Sequence, residues 1–174
     1  MNNFWSRFAK ASRDNKKPIL CLAPMPDVTD SAFRHIIAKY SKQNKPKKFQ
    51  GLPLEKYVTW TEFVSADGLV LAKEEGKKKL LKDLEYSEIE RPIVAQLFGS
   101  NPENMKKAAG LVVELGFDGL DINMGCPDKS IEKQGAGAAM IKNPDRAKEI
   151  ISAAKAGIKE AAKRLGKEEI PVSV

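Results

Sequence analysis

The sequence predicts an α/β protein built on a parallel sheet. Three observations predict it. Strand-like and helix-like segments alternate along the chain. The strands are apolar on both faces, as strands covered by helices must be. The two later helices share one punctuation, Asn-Pro at the start and Leu-Gly at the end. A doubly wound sheet and a (β/α)8 barrel both satisfy this pattern. The 174 residues fall short of the ~250 that a complete barrel typically uses.

The elements follow in order. "PILCLAP" (18–24) is a short apolar run closed by proline and reads as a buried strand carrying Cys21. "DSAFRHIIAKY" (30–40) spaces Ala32, Phe33, Ile36, Ile37 and Tyr40 as a helix does, with Thr29 or Asp30 as its cap. "SKQNKPKKFQGLPLEK" (41–56) is polar and basic with two prolines, and reads as a surface loop. Its Lys42, Lys45, Lys47 and Lys48 form a cluster suited to an RNA backbone. "YVTWTEF" (57–63) is β-branched and aromatic, hence a strand. "PIVAQLFG" (92–99) is another.

"NPENMKKAAGLVVELG" (101–116) is an amphipathic helix capped by Asn101, with Pro102 at its first position. Its stripe is Met105, Ala108, Ala109, Val112 and Leu115. "DGLDINMG" (118–125) is a strand. A second capped helix starts at Asn143-Pro144, buries Ala147, Ile150, Ile151, Ala154, Ile158, Ala161 and Leu165, and stops at Gly166. "IPVSV" (170–174) begins one more strand.

Composition sets outer limits. The chain is 42% hydrophobic and 30% charged, an ordinary globular balance for one domain. Two cysteines make no disulfide framework and fit a reducing, cytoplasmic setting. No segment approaches the ~18 apolar residues of a membrane span. Residues 1–17 carry Phe4, Trp5 and Phe8 without a continuous apolar core, so they read as an amphipathic lead-in rather than a secretory signal. The net charge of +7 suits a polyanionic partner, but charge alone favours the plainer reading of a lysine-rich solvated surface.

In either architecture, chemistry collects at the carboxyl ends of the strands. There the chain places Pro24, Met25 and Pro26, then Gln96, Asn123 and Cys126. Each also has a plain structural reading. Gln96 can satisfy neighbouring backbone groups, Asn123 can cap a turn, and Cys126 can be an inert small residue. "QGAGAAM" (134–140) matches neither common phosphate-loop spacing and reads as close packing. His35, the single histidine, sits within the first helix, so a His-based triad or zinc cluster is hard to build. Chemistry supplied by a cofactor is favoured instead.

"LAPMPDVTDSAFR", "TEFVSADGL", "PIVAQLFGSNPE" and "GFDGLDINMGCPDKSIEKQGAGAAMIKNP" together resemble the tRNA-dihydrouridine synthase family, in order and spacing, over about residues 18–174 without the basic insertion. The resemblance implies a partial (β/α)8 TIM barrel, the first four βα units plus the start of strand five. It also implies reduction of the C5–C6 double bond of uridine in tRNA, with FMN recharged by NADPH. Pro24, Met25 and Pro26 match the turn against the flavin ring, and Gln96 a glutamine that hydrogen-bonds it. Asn123 matches an asparagine near flavin and substrate, and Cys126 the proton donor. An ordinary thiol is protonated at neutral pH, yet acidic enough to give that proton. A mobile loop would let Cys126 reach the base.

Two departures are visible. Pro26-Asp27 stands where the family commonly has Ala-Gly. The family also continues past "PVSV" into a Lys-Thr-Arg segment, the flavin-phosphate loops and a helical tRNA-binding domain. The sequence alone therefore leads to the expectation of a fragment, inactive alone, whose half-barrel can self-associate. Two other readings stand beside it: another FMN barrel acting on a dihydropyrimidine, like dihydroorotate dehydrogenase, and a non-catalytic RNA-binding remnant.

Overall fold

The structure is a computed structural model that describes residues 20–43 and 57–174. The lead-in at 1–17 and most of the basic insertion lie outside the described residues. Strands β1 (Leu20–Leu22), β2 (Tyr57–Ser65), β3 (Ile93–Phe98), β4 (Gly119–Ile122) and β5 (Val172–Ser173) form one sheet. All neighbours are parallel, and the strands stand in the consecutive order β1-β2-β3-β4-β5. A doubly wound sheet reverses its order at a switch point. An unbroken progression is the arc of a half-barrel, which settles the choice left open by the sequence.

Helices fill the crossovers: α1 (Ser31–Ala38), α2 (Ala66–Leu71), α3 (Glu74–Asp83), α4 (Pro102–Glu114), the single turn α5 (Lys129–Glu132) and α6 (Pro144–Leu165). The expected caps form. Asn101 accepts from the Asn104 amide, Asn143 from that of Arg146 and Asp30 from that of Phe33. Gly166 ends α6 at φ 63°, the left-handed conformation that glycine adopts at low cost. Helices α2 and α3 occupy a stretch that periodicity did not resolve. No residue of α3 is buried, so it carries no apolar stripe to read.

The period of two divides β3 and β4. Ile93, Ala95, Leu97, Leu120 and Ile122 face the helix layer and join Met105, Ala108, Val112, Ile150, Ala154 and Ile158 in one core. Val113 replaces Leu115 in the α4 stripe, and Leu115 and Leu165 lie exposed at their helix ends. Helices α4 and α6 approach so closely that a Cβ on Gly157 would lie 2.0 Å from the Lys106 carbonyl oxygen.

Three expectations are corrected. Cys21 is exposed rather than buried: among the described residues β1 stands at the edge of the sheet, with β2 as its neighbour. In α1 and the turn that follows it, Ile36 and Tyr40 are 55% and 69% exposed, whereas Arg34 and Ala38 are buried. Arg34 turns inward because its Nε meets Glu90 Oε2 at 2.8 Å, while its other nitrogens donate to the carbonyls of Thr29 and Glu85. Finally, residues 41–43 are not loop but belong to a π turn (Lys39–Gln43) continuing α1. Lys42 within it donates to the Glu90 and Arg91 carbonyls at 2.7 and 3.0 Å and sits over the Tyr57 ring. It is therefore not a free phosphate-binding lysine.

Two tests follow from this packing. Gly157→Ala should destabilise the chain by ~1–3 kcal/mol or more, since helix backbone must move, whereas Gly110→Ala should be neutral or stabilising by up to ~1 kcal/mol. A Cβ at Gly110 meets nothing nearer than 3.6 Å, and urea denaturation of both variants measures the contrast. The second concerns Lys42, whose desolvation lowers its pKa to about 8 against the opposing pull of Glu90 and Asp118. A depressed folded pKa gives stability that is present above the unfolded value and is lost as pH falls through the folded one. Stability relative to Lys42→Met should therefore rise between pH ~8 and ~10.5, as read from denaturation midpoints across that window.

Candidate active site

The candidate residues gather where β1, β3 and β4 end. Proline on either side stiffens the turn at Met25, which stands 41% exposed. Thr29 holds this turn from below. Its Oγ1 accepts from the Met25 amide at 2.9 Å, and its own amide donates to the Met25 carbonyl at 3.0 Å. Asp27 has φ 60°. The departure from the family's Ala-Gly thus falls on a left-handed position that glycine tolerates best and aspartate better than most. The turn keeps a glycine-like backbone without the glycine.

Gln96 lies on the face of β3 opposite the helix layer and is 7% exposed. Its Nε2 donates to Asp121 Oδ2 at 2.7 Å, and its Oε1 accepts from Asn123 Nδ2 at 3.1 Å. Its backbone amide donates to Thr61 Oγ1 at 3.0 Å. This bond falls at a register shift in β2, where Trp60 pairs with Val94 but Phe63 with Gln96. An extra residue in β2 therefore stands opposite β3, which is the signature of a bulge. Just past Thr61, Glu62 has a buried Oε1 with no hydrogen-bond partner among the described residues.

Asn123 joins the strand interior to the Cys126 turn. Its amide continues the sheet by donating to the Leu97 carbonyl at 2.8 Å. Its Oδ1 accepts from the amides of Gly125 at 3.1 Å and Cys126 at 3.0 Å. The Cys126 carbonyl accepts from the Ala138 amide at 2.9 Å. The backbone of Cys126 is thus gripped on both sides, and the loose loop expected from the sequence is a held turn. The thiol is free and partly exposed.

The glycine-rich sequel does this holding. Gly137 has φ 57°, and a Cβ there would lie 2.6 Å from the Cys126 carbonyl oxygen and 2.9 Å from Ile131 Cγ2. Only glycine lets the following 3-10 turn (Gly137–Lys142) close against Cys126. Its neighbour Gly135 has φ 74° but open space, with Ser100 Cβ 3.6 Å away. Asp121 and Glu62 escaped the sequence reading. The available signal was alternation, since Asp121 is two residues from Asn123 on one face of β4.

The structure brings Gln96, Asn123 and Cys126 into one hydrogen-bonded unit. Pro24, Met25 and Pro26 share the carboxyl-end rim of the sheet with it, and no hydrogen bond links the two groups among the described residues. No group of three or more metal-ligating side chains occurs among the described residues. No helix among them is long and apolar enough to cross a membrane.

Comparison with known proteins gives a consistent result. The family model for dihydrouridine synthase matches residues 21–174. "Probable tRNA-dihydrouridine synthase 2" of Bacillus subtilis (strain 168) is 39% identical over 155 residues, covering 89% of this chain and 41% of that protein. "Probable tRNA-dihydrouridine synthase" of Staphylococcus aureus (strain COL) is 36% identical, covering 89% and 40%. Its counterpart in Staphylococcus epidermidis (strain ATCC 35984) is 34% identical, covering 89% and 41%. The chain spans about two fifths of the length of the curated relatives it matches.

The held turn yields a test of its own. Gly137→Ala should cost its left-handed backbone, ~1–2 kcal/mol, plus ~1–3 kcal/mol for the clash, and speed alkylation of the Cys126 thiol by iodoacetamide. Gly135→Ala should cost only its left-handed backbone, ~1–2 kcal/mol, and leave the Cys126 rate unchanged. Equal alkylation rates in the two variants would show that Gly137 does not govern the turn.

Proposed function

The chain belongs to the dihydrouridine synthase family, and on that premise we propose that it carries the residues of a flavin enzyme reducing the C5–C6 double bond of uridine in tRNA. FMN is the proposed redox group and NADPH its reductant. The observation that carries the reading is the held Cys126 turn at the end of β4, joined to Gln96 through Asn123.

Features of this face suit a flavin. Gln96 commits one N–H of its amide to Asp121, leaving the second for a ligand. Met25 offers an exposed, polarisable side chain to a ring face. Pro24, Met25 and Pro26 would line the ring, with Gln96 and Asn123 as hydrogen-bonding residues. When bound, the flavin supplies the hydride that C6 of the uracil takes.

The chain's own residues do the rest. Cys126 Sγ–H gives its proton to C5, completing addition across the double bond, and the thiolate regains a proton from water. Asn123 fixes where that sulfur starts by holding two amides of the turn. Residues 18–174 are proposed as part of an FMN-binding barrel acting in the cytoplasm. The net charge of +7 supports a tRNA partner.

In a full-length, flavin-loaded context, Cys126→Ala should leave flavin binding and NADPH oxidation near wild type. Dihydrouridine formation should fall ~10²–10⁴-fold, the usual weight of a positioned general acid. Single-turnover reoxidation of prereduced protein by unmodified tRNA measures the loss. A wild-type rate in the variant would assign the proton to another group.

A further inference from the structure

We propose that Asp121 is the positioning residue of this site: its side chain anchors one end of a hydrogen-bond chain that ends on the backbone of Cys126. The functional consequence of this inference rests on Cys126 being the acid, but its test does not.

Asp121 lies on β4 and is 9% exposed. Oδ2 accepts from Gln96 Nε2 at 2.7 Å, and Oδ1 accepts from Ser173 Oγ at 2.6 Å. Among the described residues no lysine or arginine pairs with it. Two neutral donors carry this buried anion, in bonds of the short, charge-assisted class.

A carboxylate can only accept. The end of Gln96 that meets it must therefore be the NH2 end, which turns the carbonyl toward Asn123. That carbonyl also only accepts, so Asn123 must offer its own NH2 group. Asn123 Oδ1 then faces the turn, where the amides of Gly125 and Cys126 can only donate. Turning both side-chain amides over would keep the Gln96–Asn123 contact but oppose like atoms at Asp121, Gly125 and Cys126. One arrangement satisfies every member, fixed at one end by the Asp121 carboxylate and at the other by the two turn amides. Ser173 extends the chain to β5, so docking of that strand and the state of the Cys126 turn share one carboxylate.

The test reads amide hydrogen exchange at Gly125 and Cys126 in this chain. In Asp121→Ala both amides should exchange about 10-fold faster, the scale of one lost hydrogen bond. The Asn123 amide, held by the Leu97 carbonyl, should keep its protection and serves as the control. Asp121→Asn keeps an acceptor for Gln96 and can donate to Ser173 Oγ, so it should stay near wild type. Gln96→Met cuts the chain with Asp121 intact and should match Asp121→Ala, which keeps the test decisive if the latter fails to fold. Wild-type exchange at Cys126 in Asp121→Ala or Gln96→Met overturns the proposal, as does Asp121→Asn exchanging as fast as Asp121→Ala. Cys126→Ala should exchange at that position as wild type does, so failure of the catalytic reading and failure of this one are separable.

Discussion

The site depends on the register between β3 and β4. Parallel pairing sets Gln96 beside Asp121 and Leu97 beside Ile122. Because side chains alternate, one face of this pair goes to the helix layer and the other carries the polar chain. A slip of one residue would exchange the two sets, driving Asp121 under α4 and α6 and turning Ile122 outward. The helix-side core forbids it. Ile93, Leu97, Leu120 and Ile122 are fully buried there, and a slip would trade their apolar contacts for the polar face while burying the Asp121 carboxyl among apolar side chains, which is costly. The position of Cys126 is therefore set by packing on the opposite side of the sheet.

A second constraint ties the Met25 turn to β3. Arg34 and Glu90 form an ion pair with essentially no exposure. Such a pair is favourable only when the remaining donors and acceptors are satisfied, and here they are. Arg34 donates to the Thr29 and Glu85 carbonyls, and Glu90 Oε1 accepts from the amide and hydroxyl of Ser87. Thr29 in turn grips Met25. The turn at the end of β1 is thus referenced to the segment that leads into β3, although β1 and β3 do not pair. Removing either charge alone would leave its partner buried and uncompensated.

What the sequence disclosed, and what it hid, follows from these two constraints. Helices α4 and α6 were legible because cap, first-turn proline and apolar stripe agree locally. The orientation of α1 was not. Its apolar stripe is turned partly outward, with Ile36 exposed and Phe33 and Ile37 half-buried, because Arg34 answers a carboxylate 56 residues away, and no local pattern encodes that. Cys21 looked buried because an apolar run at an edge reads the same as one at the centre of a sheet. The candidate residues stood out because Gln, Asn and Cys are conspicuous at strand ends. Asp121 and Glu62 were passed over because their environment exists only once strands are paired and a bulge in β2 has shifted the register.

The held turn changes how a proton donor at Cys126 would work. A loose loop would bring the thiol to the base, and each approach would lose conformational entropy. Here the amide and carbonyl of Cys126 are both engaged, leaving mainly the side-chain torsion free to move. On the function proposed above, the base must be delivered to the acid, and the accuracy of that meeting belongs to whatever holds the nucleic acid. Net charge alone does not identify that surface. Lys42, counted among the +7, lies against backbone carbonyls with its charge already engaged. A basic excess favours approach to RNA, but each lysine must be free of internal partners before it can help to hold one.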